Sequence, residues 1–340
     1  MNMKQIILNG TEVTGLNSLA RYLTRKCLLG LCYHSVVSDN SPQDDARTRI
    51  AVTVSQFNEQ LQELRRHWNP VSLRQIRDAI EEKVPLPVCA VHVSFDDGYQ
   101  NNLTLAAPLL ARYEIPATIF VTTNLINSHN QMIWAIELHE RLVVLPDSSI
   151  VIGGQTYQLS PCETPQRTRQ ALNIVNQVKS MPVEEREFLL QYLRNRVEVD
   201  LVPFWKRELY EFLNWDELRL LQKQGIEIGS HTLSHPILSN LDAAALESEI
   251  RGSKECIERE LGVECNVFAY PFGASNDFSD QVIDVVRRVG FNLAFTLQER
   301  RNAAKLDAMR IHRICINREH SIASFRVLIS GLRNSSIFAK

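Results

Sequence analysis

The run Ala90-Val91-His92-Val93-Ser94-Phe95-Asp96-Asp97-Gly98-Tyr99 decides how the chain is read. A short, largely apolar segment of strand length ends in two adjacent carboxylates, a glycine and then a helix. In parallel α/β folds, active sites are built at the C-terminal ends of strands. Two neighbouring carboxylates repel each other unless a cation neutralises at least one of them. Gly98 permits a sharp exit from the strand. Taken alone, the same run also reads as a solvated Asp-Asp-Gly turn between strand and helix.

Six further runs of strand length share its apolar character: Leu28–His34, Ala117–Thr122, Ile226–Ser230, Val267–Tyr270, Leu293–Thr296 and Ile311–Ile316. Most are too unbroken to be half-exposed, which suits a sheet covered on both faces. Amphipathic helical segments alternate with them. Ser55–Trp68 carries Phe57, Leu61 and Leu64 at helical spacing with Ser55 as its cap, and Asp242–Leu261 and Phe278–Val289 each stop at a glycine. The fold expected is α/β, a distorted or incomplete (β/α) barrel of about seven parallel strands with a mostly helical insertion. Residues 1–27 form an N-terminal extension, 28–123 and 215–332 the barrel, and 124–214 the insertion. The insertion, with a hairpin at Ser149–Gln158 and helices near Arg167–Lys179 and Glu184–Arg196, reads as a cap or wall beside the site or as an embellishment.

The second chemical run is Gly229-Ser230-His231-Thr232-Leu233-Ser234-His235-Pro236. Again a short strand ends in reactive residues. Histidines four apart meet on one side of a helical turn, a workable zinc spacing, although such pairs also occur as surface or core residues. One carboxylate plus two imidazoles gives three protein ligands and leaves a position for water, as in catalytic zinc sites. Zinc is the favoured ion, and cobalt, nickel or manganese accept the same ligands.

Composition agrees with a small, roughly neutral ligand. The 340 residues are 44% hydrophobic, with a formal net charge of −2. That balance offers no electrostatic case for nucleic acid or an anionic membrane as the main partner. No stretch approaches the ~20 apolar residues of a transmembrane span. The N-terminal residues carry no recognisable secretory signal, and the seven cysteines, with no CxxC pair, read as buried hydrophobes in a reducing compartment. The expectation is a cytoplasmic protein, with peripheral membrane association left open.

At this point the chain resembles the polysaccharide deacetylase family, carbohydrate esterase family four. The matching residues are Ser94-Phe95-Asp96-Asp97-Gly98, His231-Thr232-Leu233-Ser234-His235, Leu31-Cys32-Tyr33-His34 and Phe268-Ala269-Tyr270-Pro271-Phe272-Gly273, the last in the form of a Tyr-Pro-Phe-Gly subgroup. The resemblance implies that Asp96 is the general base and that Asp97, His231 and His235 hold Zn2+. It implies hydrolysis of an N-acetyl group from an amino sugar, polymeric or lipid- or nucleotide-linked, with acetate released. A backbone N–H beside Tyr270 is expected to help hold the oxyanion. Two departures stand out. Ala269 replaces the family's arginine, leaving Arg310 and Arg313 as sources of the missing charge, and no fourth motif is recognisable around Val289–Thr296.

His312, on the last strand, matches the family's general acid, with His34 as the competing histidine. Tyr99, Trp134, Tyr270, Pro271 and Phe272 are candidates to contact the sugar, Trp205 and Trp215 face either way, and His67 and His92 read as structural. The charged run Glu247–Arg259 reads as a solvated face. Two other readings remain: a deformylase or other small-amide hydrolase on the same fold, and an inactive carbohydrate-binding homologue.

Overall fold

A computed structural model describes residues 15–41, 50–128, 131–198 and 207–332. Its main sheet consists of β1 (Leu29–Tyr33), β2 (Ala90–Phe95), β3 (Ala117–Val121), β4 (Glu227–Ser230), β5 (Val267–Ala269), β6 (Leu293–Thr296), β7 (Ile311–His312) and β8 (Ile314–Cys315). Their order is β7-β6-β5-β4-β3-β2-β1-β8, and every pairing is parallel. A two-residue strand, Asn69–Pro70, pairs with the start of β2. All residues of β1, β2, β3 and β6 are buried, as strands covered on both faces must be.

The run Ile311–Ile316 departs from its expected single strand. It breaks at Arg313, so that His312 pairs with Thr296 on β6 while Ile314 pairs with Leu31 on β1. One short run of chain therefore touches both ends of the sheet and nearly closes it into a barrel. Gly30 makes room for this crossing. A Cβ there would collide with the His312 carbonyl oxygen and lie 3.0 Å from Arg313 Cγ. The Arg313 side chain enters the barrel interior through the space that glycine leaves.

The helix Val54–His67 starts one turn position earlier than its apolar spacing indicated. Thr53, not Ser55, is its cap: Thr53 Oγ1 accepts the Gln56 N–H at 3.2 Å and the Gln56 side chain accepts the Thr53 N–H at 3.1 Å. Ser55 instead donates to Asp39 at 2.7 Å. Helices Ala243–Leu261 and Asp280–Val289 are capped by Asp242 and Ser279.

Residues 134–197 build a second hydrophobic cluster, which Tyr99 and Ile237 of the barrel also join. Helices Trp134–Val144, Pro165–Val178 and Val183–Arg196 bury Leu138, Leu142, Ile174, Leu190 and Leu193 together with Ile150 and Ile152 of the antiparallel hairpin Ser149–Ile152 and Gln155–Gln158. Arg167, fully buried, ties these pieces together. Its guanidinium donates to the carbonyls of Leu142 and Ser160 at 2.7 Å, of Asp147 at 3.2 Å, and of Leu145.

His92 sits inside the barrel as a neutral core residue. Its Nδ1–H donates to the Val71 carbonyl at 2.9 Å, and Nε2 accepts from Thr118 Oγ1 at 3.1 Å. Burial, assisted by Arg313 and opposed by the Val71 bond, pushes its pKa down to about 4 from 6.5. The unfolded chain therefore takes up this proton at a higher pH than the folded chain does. Stability is fully present above pH 6.5 and is lost as pH falls toward 4, by about 3 kcal/mol at ~1.4 kcal/mol per pKa unit. In urea unfolding, the gap between wild type and His92→Gln should narrow between pH 7 and 4.5. A gap that stays constant would show that His92 does not carry this dependence.

Candidate active site

The two chemical runs meet at the C-terminal mouth of the barrel. The Asp96 N–H donates to the Tyr33 carbonyl at 2.9 Å, extending the β1–β2 ladder by one residue. The chain then turns through two left-handed residues, Asp97 (φ 77°) and Gly98 (φ 89°). A side chain at Gly98 would press on Val121, 3.1 Å from its Cβ, so the turn sits tight against β3.

After β4, the His231 N–H bonds the Val121 carbonyl at 2.9 Å, and the chain again turns through left-handed residues, Thr232 (φ 70°) and His235 (φ 60°). Glu249, from the helix Ala243–Leu261, fixes this loop. It accepts the N–H groups of Leu233 and Ser234 at 3.0 Å and the Ser234 hydroxyl at 2.5 Å. The charged run in which Glu249 lies is thus not wholly a solvated face. Its helical spacing carried no signal of this anchoring role, which only the fold brings about.

Asp97, His231 and His235 are all buried, with one donor atom each within 4.8 Å of the others. Asp97 Oδ1 lies 3.7 Å from His231 Nε2 and 3.6 Å from His235 Nε2. Donors held ~2.0–2.2 Å from one tetrahedral ion would be about 3.3–3.6 Å apart, so the three residues fit a metal. His231 Nδ1 donates to the Ala269 carbonyl at 2.8 Å, which leaves the Nε2 lone pair facing Asp97. Burial, reinforced by His231, holds the His235 pKa well below its usual value, so that ring too keeps a lone pair at neutral pH.

Asp96 lies beside this cluster, within reach of the charges of His231 and His34. It forms a two-pronged ion pair with Arg313, at 2.6 Å (Nη1–Oδ1) and 2.8 Å (Nη2–Oδ2), and neither side chain is more than 1% exposed. Burial alone would raise the Asp96 pKa, but Arg313, with His231 and His34, more than offsets that and holds the carboxyl far below the usual range. Arg313 is therefore the arginine that faces Asp96. Arg310 instead pairs at the surface with Asp280 and Asp307.

His34 is brought to this cluster, beside Asp96, Asp97 and Cys315. Burial opposes its charge, yet those three neighbours push its pKa up to about 9. His312 is not brought there. The break at Arg313 turns His312 outward, where its Nδ1 meets Thr296 Oγ1 at 2.9 Å and its charged neighbours are Arg300, Asp307 and Arg310. Strand position alone could not reveal that turn.

The aromatic candidates divide in the same way. Phe272 (φ 58°) is half-buried and sets its ring edge-on to His235, 4.7 Å between centroids, while Pro271 is buried in the turn before it. Trp134, from the insertion, donates to the His235 carbonyl at 3.1 Å and packs against Phe272. Tyr99 and Tyr270 are packing residues, not open platforms: Tyr99 stacks on Phe212, and Tyr270 stacks on Phe278 and donates to the Met309 carbonyl. The Tyr270 N–H is itself engaged by the Phe295 carbonyl. Trp215 is buried in the barrel core, and Trp205 lies outside the described residues.

Removing Arg313 alone would strand a buried carboxylate. Arg313→Met should lower unfolding free energy by about 3–5 kcal/mol, and adding Asp96→Asn should recover a substantial part of that loss. Urea denaturation of both single variants and the double variant measures the coupling. Additive losses would show that the two charges do not depend on each other.

The sequence pattern of the polysaccharide deacetylase family matches residues 83–182 and 189–294, more than half of the chain. A poly-beta-1,6-N-acetyl-D-glucosamine N-deacetylase of Escherichia coli is 24% identical over 305 residues, covering 88% of this chain but 39% of that protein's length. A protein of the same description from Staphylococcus epidermidis is 26% identical over 245 residues, covering 66% of this chain and 81% of its own length. The fold is shared with the Streptococcus pyogenes deacetylase PplD in complex with acetate (TM-score 0.59, 17% identity, 89% of this chain and 98% of that one). It is also shared with IcaB from Ammonifex degensii (TM-score 0.55, 18% identity, 90% of this chain and 97% of that one). The chain belongs to the polysaccharide deacetylase family.

Proposed function

We propose that this chain is a metal-dependent N-deacetylase of an N-acetylated amino-sugar polymer. The observation that carries the reading is the convergence of Asp97, His231 and His235 at the barrel mouth, with ionised Asp96 beside them. The relatives' descriptions make a β-1,6-linked N-acetylglucosamine polymer the first substrate to try.

Asp97, His231 and His235 would hold the ion. A divalent cation such as zinc supplies Lewis-acid polarisation of the acetamide carbonyl and of the attacking water. Asp96, kept ionised and aimed by Arg313, takes a proton from that water as its oxygen bonds the acetyl carbon. His34 then protonates the sugar nitrogen as the C–N bond breaks, the role that His312 is not placed to fill. Acetate and a free amine leave, and the proton on Asp96 returns through solvent to His34. Phe272 and Trp134 form an apolar wall beside His235, which suits the acetyl methyl or the apolar face of a pyranose.

Acetate release from β-1,6-linked N-acetylglucosamine oligomers should vanish on chelation and return with zinc. Asp96→Asn and His34→Ala should each lower kcat by about 10²–10⁴-fold while one zinc per chain stays bound. His312→Ala should stay within a few-fold of wild type. Full activity in Asp96→Asn would remove that residue as base. Formate release from N-formyl sugars without acetate release would move the chain to the deformylase reading. Sugar binding with neither product would make it a binding protein.

A further inference from the structure

We propose that Lys179 is a specificity-determining residue: a fixed cation that makes the wall beside His235 accept N-acetylated sugar units, and reject de-N-acetylated ones, next to the unit being hydrolysed. Lys179 closes the helix Pro165–Val178, its N–H bonding the Val175 carbonyl at 3.1 Å. Its own carbonyl accepts from Asn240 Nδ2 at 2.8 Å, which ties the helix end to the short turn Leu238–Asn240 that follows His235 in the chain. A cation suits a helix C-terminus because of the dipole, but this side chain reaches beyond its helix. Half-buried, it sets Nζ over the Phe272 ring, 4.3 Å from the ring centre, and that centre lies 4.7 Å from the centre of the His235 ring. Among the described residues no carboxylate comes within ion-pair range of Nζ, and the charge of Asp277 reaches it from farther off. Buried Arg186 adds a second charge of the same sign. Its guanidinium lies 4.3 Å from the centre of the Trp134 ring, with Nε and Nη1 lacking a hydrogen-bond acceptor among the described residues and Glu187 3.8 Å away. Both rings of the apolar wall thus have a cation against them.

Under the deacetylase reading above, on which this rests, a polymer presents flanking sugar units in two chemical forms. An acetamide is neutral and offers a carbonyl oxygen, an acceptor for an ammonium donor. The amine left by hydrolysis takes a proton and becomes a cation that only donates. Lys179 attracts the first form and repels the second, so the choice is made by repulsion as well as by contact. Two unit charges several ångströms apart near a protein surface change an affinity or a rate about three- to tenfold, and salt screens them. Each unit that loses its acetyl group therefore makes its neighbours poorer substrates, and de-N-acetylation is scattered along the chain rather than contiguous.

The test compares acetate release from two β-1,6-linked glucosamine trisaccharides, at a mildly acidic pH where sugar amines are charged. Both carry an N-acetyl group on the central unit; the flanking units are N-acetylated in one and free amines in the other. Mass spectrometry locates the unit that loses its acetyl group in the first. Zinc-loaded wild type should favour the flanking-acetylated trimer in kcat/KM, and high salt should reduce that preference. Lys179→Met should shrink it about three- to tenfold, Lys179→Glu should shrink it further, and Lys179→Arg should keep it. Lys223→Met makes the same charge change at the end of the helix Trp215–Lys223, ahead of β4 and so away from the mouth, and should behave as wild type. If Lys179→Met slows both trimers by one factor, or if the wild-type preference ignores salt, the role of Lys179 is overturned and the deacetylase reading stands. If zinc-loaded wild type releases acetate from neither trimer, that reading falls and the role of Lys179 falls with it.

Discussion

The barrel is organised around one buried ion pair, Asp96 with Arg313. Each charge alone would cost several kcal/mol in the interior, so each residue depends on the other. The pair is also fully served by its surroundings. The remaining Arg313 donors reach Ser94 Oγ at 2.9 Å and the Thr296 carbonyl at 3.2 Å, and the guanidinium lies over the rings of Phe120 and Phe295. Those partners belong to β2, β6 and β3, and Gly30 of β1 leaves the space through which the side chain enters. A contact that recruits four strands also fixes where the sheet closes, because Arg313 is the residue at which β7 passes into β8.

Ion pairs of this kind are weak contributors to net stability when compared with apolar residues of equal volume. What the pair supplies is a carboxylate that remains charged although buried, beside the cluster of Asp97, His231 and His235. In the family pattern that task falls to an arginine in the motif that here reads Phe268-Ala269-Tyr270. The substitution to Ala269 does not leave the carboxylate alone; the cation arrives from a different strand. The Ala269 position serves the site through its backbone instead, since its carbonyl orients His231.

Much of this was legible in the sequence because parallel strands buried on both faces leave long apolar runs, and because carboxylates and histidines at the ends of such runs are hard to explain otherwise. The ladder from Ala90 to Phe95 and the placing of both chemical runs at strand ends follow from that logic, whereas the grouping of Asp97 rather than Asp96 with His231 and His235 was implied only by the family resemblance. Arg313 and His312 were not distinguishable, since an uninterrupted strand and a strand broken by one residue share the same apolar pattern. The break exchanges which neighbour faces inward. Tyr99 and Tyr270 looked like sugar platforms for a related reason: strand-end position says that a ring is near the mouth, but not whether Phe212 or Phe278 already covers it. Glu249 was hidden among the charges of an amphipathic helix, where only the loop opposite it gives it a task.

Backbone strain at the mouth completes the argument. Asp97, Thr232, His235 and Phe272 all adopt left-handed conformations without being glycine, and Thr232 is β-branched, for which that region is least favourable. Each such residue costs on the order of 1–3 kcal/mol and persists only where its surroundings over-determine it. Here the compensation is visible. Thr232 Oγ1 accepts the His235 N–H, its carbonyl accepts the Thr123 N–H, Glu249 accepts two N–H groups of the same loop, and Trp134 donates to the His235 carbonyl. A relaxed loop could satisfy those groups with water at no conformational cost. The strained one directs one carboxylate oxygen and two imidazole nitrogens at a common point. The segment Trp134–Val144 enters this balance through Trp134, whose bond to the His235 carbonyl is one of the clamps that hold His235 in place.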